Sequence, residues 1–585
     1  MSDDDHDALT IEVSIPASLR AAVAEKLALA AEERVGERLA EGDPTLWAPP
    51  GTPEVANRLG WLTIAERMLD QVESLEAFAK QVRDDGLADV VLLGMGGSSL
   101  APEVLRRSFG SAPGCPRLHV LDSTDAARIR SVEQTIDVER TLFLVSSKSG
   151  GTIEPLSLFA HFWSLEPEGS HFAAITDPGS GLEQLAREHG FRRTFAGDPD
   201  IGGRYSALSA FGIVPAALIG VDIGALLHGA DTAWQTRAED APAGVWLGAA
   251  LSALAQAGRD KLTFVISDPS LASLGLWLEQ LFAESTGKHG TGILPVADEP
   301  VGNPDVYGED RVFLHLTGAR EAGPSRPTSS IPHPGDADAG GTGSGRPDVH
   351  NSDLFARVRA LARGHPLITI PTHGPADLGR VFMLAELAVA VAGWGLRINP
   401  FDQPNVQQAK DATNRVLAEY ETRHDRAEIG RPVGADATGP SPTDDDALRA
   451  LLAGAAPPAY VAIMGYVEPS DAFDEAMAEL RTTIRAAGRA TTTFGYGPRF
   501  LHSTGQFHKG GPKTGRFLQL IHDGPLDVEI PGASYTFTTL KNAQATGDLN
   551  TLRELGLPAA RVRLAGEDPV AALRDLTTRI KKMLS

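Results

Sequence analysis

Short apolar runs that stop in small or hydroxylated residues recur between residues 90 and 175. Val90-Val91-Leu92-Leu93 and the runs at 118–121, 142–145 and 172–175 are too short for buried helices, and Phe143 and Val145 are types that suit a strand. Between these runs the spacing predicts helices over 102–109, 155–165 and 181–188. Strands alternating with helices at this spacing predict a doubly wound parallel sheet. Upstream, 18–84 carries helical spacing at Leu27, Leu29, Leu39, Leu62, Ile64, Met68, Leu69 and Val72, interrupted by a proline-rich loop at 44–53, and reads as packing helices. A third alternating segment, with a strand over 460–467 and a helix over 471–487, follows an acidic, Pro/Gly-rich stretch near 424–446. The insert at 318–345 is rich in Pro, Gly, Ser and Asp, a composition that predicts disorder. The expected organisation is a helical segment over 1–85, α/β units over 86–228 and 229–425, a linker over 426–446 and a C-terminal α/β unit over 447–585.

At 585 residues the chain exceeds a single core, so two to four domains are expected. Composition then narrows the partners. Lys plus Arg number 53 against 76 Asp plus Glu, a net charge of −23, which argues against nucleic acid and leaves a small phosphorylated substrate needing a local basic pocket. The single Cys115 excludes an internal disulfide framework and a multi-cysteine zinc site. The N-terminus, Met-Ser-Asp-Asp-Asp-His-Asp, is the reverse of a basic, apolar signal peptide. The longest apolar stretch, near 210–227, is broken by Pro215 and Asp222, short of a membrane span. A soluble, cytoplasmic protein with no membrane partner is expected.

The chemistry starts at Ser146-Ser147-Lys148-Ser149-Gly150-Gly151-Thr152, between the run at 142–145 and a helix that Pro155 places in its first turn. Ser147, Ser149 and Thr152 supply hydroxyls, the glycines allow close backbone approach, and Lys148 adds a cation at the positive end of a helix. This is a phosphate cradle that needs no metal; in isolation it reads equally as a serine-glycine turn. A rival site precedes it. Gly94-x-Gly96-x-x-Ser99, with Asp122 ending the next strand, approaches a dinucleotide fingerprint, so a dehydrogenase is an alternative. Against it, the third glycine is a serine, and a second phosphate loop is superfluous for a dinucleotide.

Further motifs follow in order: Gly202-Gly-Arg-Tyr-Ser206, Glu284-Ser-Thr-Gly-Lys288 and Phe401-Asp-Gln-Pro-Asn-Val-Gln-Gln-Ala-Lys410. With Gly94-Met-Gly-Gly-Ser98 and Ser147-Lys-Ser-Gly-Gly-Thr-Ile-Glu154, they resemble the glucose-6-phosphate isomerase family over residues 90–410. The resemblance implies doubly wound parallel sheets of sugar-isomerase (SIS) type, two such units plus the C-terminal α/β unit. It also implies glycolytic and gluconeogenic isomerisation of a hexose phosphate through a cis-enediol, with no cofactor and no metal. Glu284 matches the family's base and Arg204 the cation that stabilises the enediolate. Gly97, Ser98, Ser147, Ser149 and Thr152 match substrate and phosphate contacts. Gln280 and Gln403 match substrate-positioning amides, and Lys410 the lysine that helps open the ring. Taken alone, Glu284 reads as a surface acid at a helix end and Arg204 as half of a surface salt bridge.

The chain departs from the family in three places. Pro199 stands where the family usually has an acid or amide, Asn405 and Gln407 replace the usual Gly and Glu, and no ring-opening histidine motif lies between Glu284 and Lys410. Leu501-His-Ser-Thr-Gly-Gln506 matches that motif out of its usual order. Its surroundings resemble the tail of the isomerase half of bifunctional transaldolase/glucose-6-phosphate isomerases, although only about 85 residues precede the first strand and a transaldolase barrel needs roughly 250. His502 is therefore the expected ring-opening group, with His508, beside Lys509 and a glycine pair, as its competitor or a substrate contact. The expected activity is interconversion of glucose 6-phosphate and fructose 6-phosphate, with a homo-oligomer left open. The alternatives are an isomerase of another hexose phosphate and a sugar-phosphate-binding regulator that would need neither Glu284 nor Lys410.

Overall fold

A computed structural model of the chain describes residues 11–235, 242–318, 349–422 and 442–584. It opens with a three-residue strand, β1 (Glu12–Ser14). The first parallel sheet follows, formed by β2 (Asp89–Gly94), β3 (Arg117–Leu121), β4 (Thr141–Ser146), β5 (Phe172–Thr176) and β6 (Arg193–Ala196) in the order β3-β2-β4-β5-β6. The second contains β7 (Lys261–Ile266), β8 (Leu294–Val296), β9 (Arg311–Gly318) and β10 (Leu367–Thr372), ordered β1-β10-β9-β7-β8. The third, β11 (Tyr460–Tyr466), β12 (Thr491–Tyr496), β13 (Gly515–Ile521) and β14 (Ala559–Arg563), runs β12-β11-β13-β14 and is parallel throughout. The expected fold class is met: every residue of β2, β4, β5 and β11 is buried, as strands covered on both faces must be.

The segment expected to be purely helical is not. β1 pairs antiparallel with β10, Ser14 opposite Leu367, so the N-terminal segment closes an edge of the second sheet before its helices Ala17–Glu32 and Val72–Asp84 pack. The expected linker at 426–446 ends earlier than predicted. Helix Pro442–Leu452 begins inside it and buries Leu448, Leu451 and Leu452 against the third sheet. The insert at 319–348 and most of that linker lie outside the described residues.

Alternate residues of β2 face two different cores. Val90 and Leu92 join the main core, whereas Val91 and Leu93 join a cluster containing Phe143, Phe172, Phe537, Leu540 and Ala543. Helix Phe537–Glu554 of the C-terminal unit thus packs over one face of the first sheet. It also crosses helix Val406–Thr422 at Gly547, where a Cβ would sit 2.9 Å from the Thr413 nitrogen. In helix Leu378–Leu396 every residue but Arg380 is buried. Its length and apolarity would suit a membrane span, but 94% of its apolar window is enclosed by the rest of the chain, as in a core helix.

Candidate active site

Loops at the carboxyl ends of β2 and β4 open the site, where a doubly wound sheet binds ligands. After β4, Thr152 is the N-cap of helix Ile153–Leu165 and leaves its side chain out of the cap. Its hydroxyl instead meets Ser147 Oγ at 3.2 Å and Ser149 Oγ at 3.5 Å. Three hydroxyls therefore converge at the N-terminus of a thirteen-residue helix, an arrangement that suits a phosphate dianion. After β2, Gly97 lies against the next loop: a Cβ there would fall 2.0 Å from the Gly203 carbonyl oxygen. Ser98 is buried in the same turn. This contact sets the 3-10 turn Gly203–Tyr205, and with it Arg204, beside the β2 loop.

Arg204 is 1% exposed and held on all sides. Its Nε donates to Ser285 Oγ at 2.8 Å, Nη1 to Gln403 Oε1 at 3.2 Å, and Nη2 to the carbonyls of Pro400 at 2.6 Å and Asp402 at 3.0 Å. Nη1 also lies 3.5 Å from Glu284 Oε2. Glu284, 4% exposed, sits near the end of helix Leu274–Thr286. Burial pushes its carboxyl above the ordinary range, while Arg204, His502, Gln280 and Lys288 pull the other way. Lys288 donates to the Asp402 carbonyl and carboxylate, both at 2.6 Å, and so pins the loop that carries Gln403. Burial, reinforced by Arg204, pushes the Lys288 ammonium down to about 7.

One turn before Glu284, Gln280 Nε2 donates to the His502 carbonyl at 2.7 Å. His502 ends the 3-10 turn Arg499–His502, and its Nε2 lies 2.9 Å from Glu154 Oε1. Glu154 also accepts from Gln544 Nε2 at 2.7 Å, and Gln544 Oε1 in turn accepts from Thr124 Oγ1 at 2.9 Å. Helix Ile153–Leu165 therefore serves two purposes, its first turn facing the hydroxyl cradle and Glu154 orienting the histidine of another unit. Glu154 was visible in the sequence only as the last letter of a motif. Lys288 and Asp402 likewise stood only as letters of two motifs, with nothing to say that they clamp one another, and no role was read for Gln544.

Two expected groups are placed otherwise, and the side chain of a third is not described. Lys148 does not stand free in the cradle, because its ammonium is tied to Asp177 at 2.6 Å and to the Asp198 carbonyl at 2.7 Å. His508 is corrected as a substrate contact: it is 5% exposed, both ring nitrogens lack partners, and Tyr460, Phe500 and Phe517 surround the ring. Burial pushes its pKa down to about 3, so the ring is neutral. The backbone of Lys410 lies in helix Val406–Thr422, and its side chain falls outside the described residues. The dinucleotide alternative loses its acid, since both oxygens of Asp122 are taken by Arg499 at 2.7 Å. Among the described residues no group of three His, Cys, Asp or Glu side chains converges as a metal site.

The phosphoglucose isomerase family model matches residues 56–309. Glucose-6-phosphate isomerase of Rubrobacter xylanophilus is 31% identical over 415 residues, covering 65% of this chain and 93% of that protein. The enzyme of the same name from Heliobacterium modesticaldum is 32% identical over 384 residues, 60% of this chain and 85% of that one. Among solved structures, a hypothetical protein from Thermus thermophilus superposes with a TM-score of 0.56 at 25% identity, covering 70% of this chain and all of that one (100%). A glucose-6-phosphate isomerase from Chlamydia trachomatis shares the fold, with a TM-score of 0.55 at 19% identity over 68% of this chain and 86% of that one. The relative from Rubrobacter is matched over nearly its whole length, and this chain belongs to the glucose-6-phosphate isomerase family.

Proposed function

We propose that the chain interconverts glucose 6-phosphate and fructose 6-phosphate, with the buried Glu284–Arg204 pair as its reacting centre. The observation that carries this reading is a carboxylate raised by burial and 3.5 Å from a fully held guanidinium. Such a carboxylate can take a proton and return it near neutral pH, and a permanent cation beside it stabilises the charge that develops. Ring opening comes first: His502, oriented by Glu154, moves a proton between the anomeric hydroxyl and the ring oxygen, with Lys410 as the second group. Glu284 then removes the C2 proton, leaving the enediolate oxygens facing Arg204. The same carboxyl returns the proton to C1 while the proton of the C2 hydroxyl passes to O1, so that the hydroxyl and carbonyl exchange places. No step requires a metal or cofactor. The acidic chain and its lone cysteine suit a reducing cytoplasm.

A coupled assay offered glucose 6-phosphate, mannose 6-phosphate and unphosphorylated fructose should show turnover of the first alone. Comparable turnover of mannose 6-phosphate would move the assignment to another hexose-phosphate isomerase. Binding of the sugar phosphates with turnover of none would favour a regulator on this fold.

The cradle and the histidine relay can be tested separately. Ser149→Asp places a negative charge among the three hydroxyls, so KM for glucose 6-phosphate should rise by about tenfold or more while kcat changes less; an unchanged KM would place the phosphate elsewhere. Gln544→Leu removes one donor from Glu154 without touching substrate. Turnover of the cyclic sugar should fall by roughly tenfold or more, the value of a hydrogen bond to a charged group. A four-carbon aldose 4-phosphate, which cannot close a ring, should be affected far less. Equal losses on both would mean that Gln544 acts on packing.

A further inference from the structure

The segment from His502 to Gln506 is laid along the last two turns of helix Leu274–Thr286. At one end the His502 carbonyl accepts from Gln280 Nε2 at 2.7 Å. At the other, Gln506 Nε2 donates at 2.9 Å to the carbonyl of Gly287, the residue just past the helix. Gln280 and Gly287 stand two turns apart, about 10 Å along a helix axis. Glu284 lies between them. Gln506 also reaches a second loop: its Oε1 accepts from the Asn405 N–H and its Nε2 donates to Asn405 Oδ1, both at 2.9 Å. Asn405 follows Gln403 by two positions and is one of the residues in which this chain departs from its family, where glycine is usual.

Gln506 is 1% exposed, so its amide depends on these partners rather than on water. The fit around it is close: a Cβ on Gly510 would fall 2.7 Å from Gln506 Nε2 and 2.5 Å from Asn405 Oδ1. The loops of the second unit hold one another without Gln506, because Lys288 binds Asp402 and Arg204 binds Pro400, Asp402 and Gln403. The turn that carries His502 is placed differently. Its ties to the first unit, His502 to Glu154 and Arg499 to Asp122, leave open how it is registered on helix Leu274–Thr286. A contact at Gln280 alone lets a short segment pivot, whereas a second one two turns along the same helix fixes its direction past Glu284. The next polar tie to this unit among the described residues, from the Gly290 N–H to the Gly510 carbonyl at 2.9 Å, is farther from His502 along the chain. Imidazole and carboxylate work on one sugar, and a misplacement of about 1 Å costs on the order of a hundredfold in rate.

We propose that Gln506 is a positioning residue that sets the register of His502 against Glu284, with Asn405 as its partner; the inference rests on the isomerase reading above. Gln506→Glu keeps the shape and the bond from the Asn405 N–H, but in its ionised form it turns an oxygen toward the carbonyl oxygens of Gly287 and the Asn405 amide. Turnover of cyclic glucose 6-phosphate should fall by about tenfold or more near pH 8, with KM little changed because the hydroxyl cradle is untouched. The four-carbon aldose 4-phosphate, which bypasses ring opening, should stay within about twofold of the unmodified rate. Protonation of the introduced carboxyl restores a donor, so the ratio of variant to unmodified turnover of the cyclic sugar should climb several-fold as pH falls from about 8 to about 6. Asn405→Gly keeps the backbone N–H and removes one bond of the three, so it should show a smaller loss of the same kind, about threefold, and it serves as the test if Gln506→Glu does not fold. Equal losses on the two sugars, a ratio that does not move with pH, or full activity of both variants on the cyclic sugar would overturn the positioning role alone. An unmodified enzyme that turned over neither sugar would overturn the isomerase reading, and this role with it.

Discussion

His502→Ala should lose about a hundred- to ten-thousandfold of its turnover with cyclic glucose 6-phosphate, the usual contribution of a positioned acid or base. Opening a pyranose takes a proton from the anomeric hydroxyl and delivers one to the ring oxygen, and histidine titrates where both directions are accessible. In this chain the imidazole comes from the C-terminal unit, while the carboxylate that orients it, 2.9 Å away, comes from the first. The loss should therefore be specific to the ring. A four-carbon aldose 4-phosphate has no ring to open, and His502→Ala should turn it over at nearly the unmodified rate. Equal losses on both substrates would remove His502 from ring opening. Full activity with the cyclic sugar would leave the imidazole with a purely structural place against Glu154.

The inner strands of the first sheet were legible in the sequence for a physical reason. Strands buried on both faces need unbroken apolar runs, and 90–93, 142–145 and 172–175 each fall within an observed strand. The edges were not. β1 is three residues long, and only Phe195 of β6 is buried, so neither carries such a run. At the site, the family resemblance pointed to Arg204, Gln280, Glu284 and Gln403, which the fold brings together around the last turns of helix Leu274–Thr286. What failed were partners distant in sequence. Lys148 looked free because nothing local predicts that Asp177 and Asp198 will hold it. His508 looked basic beside Lys509, but Lys509 is spent on Asp548 at 2.7 Å and aromatic rings enclose the imidazole. Gln544 lies 390 residues from the carboxylate it bonds, and no spacing rule reaches that far.

Glu284→Gln is the other large effect. An amide of the same shape keeps the packing against Arg204 but cannot accept the C2 proton, so kcat should fall by about a hundred- to ten-thousandfold with KM little changed. The pH profile carries a sign of its own. Because burial raises the Glu284 carboxyl, its base form is lost at a higher pH than for a solvent-exposed glutamate, and the acid limb of kcat/KM should stand correspondingly closer to neutrality. In Glu284→Gln the residual activity should lose that limb.

The most direct measurement is hydrogen exchange from deuterated water during turnover. If Glu284 carries the proton between C2 and C1 of an enediol, the unmodified enzyme should place solvent deuterium at C1 of fructose 6-phosphate, and the Glu284→Gln protein should place none above the uncatalysed background. Undiminished deuterium incorporation by the Glu284→Gln protein would contradict the account.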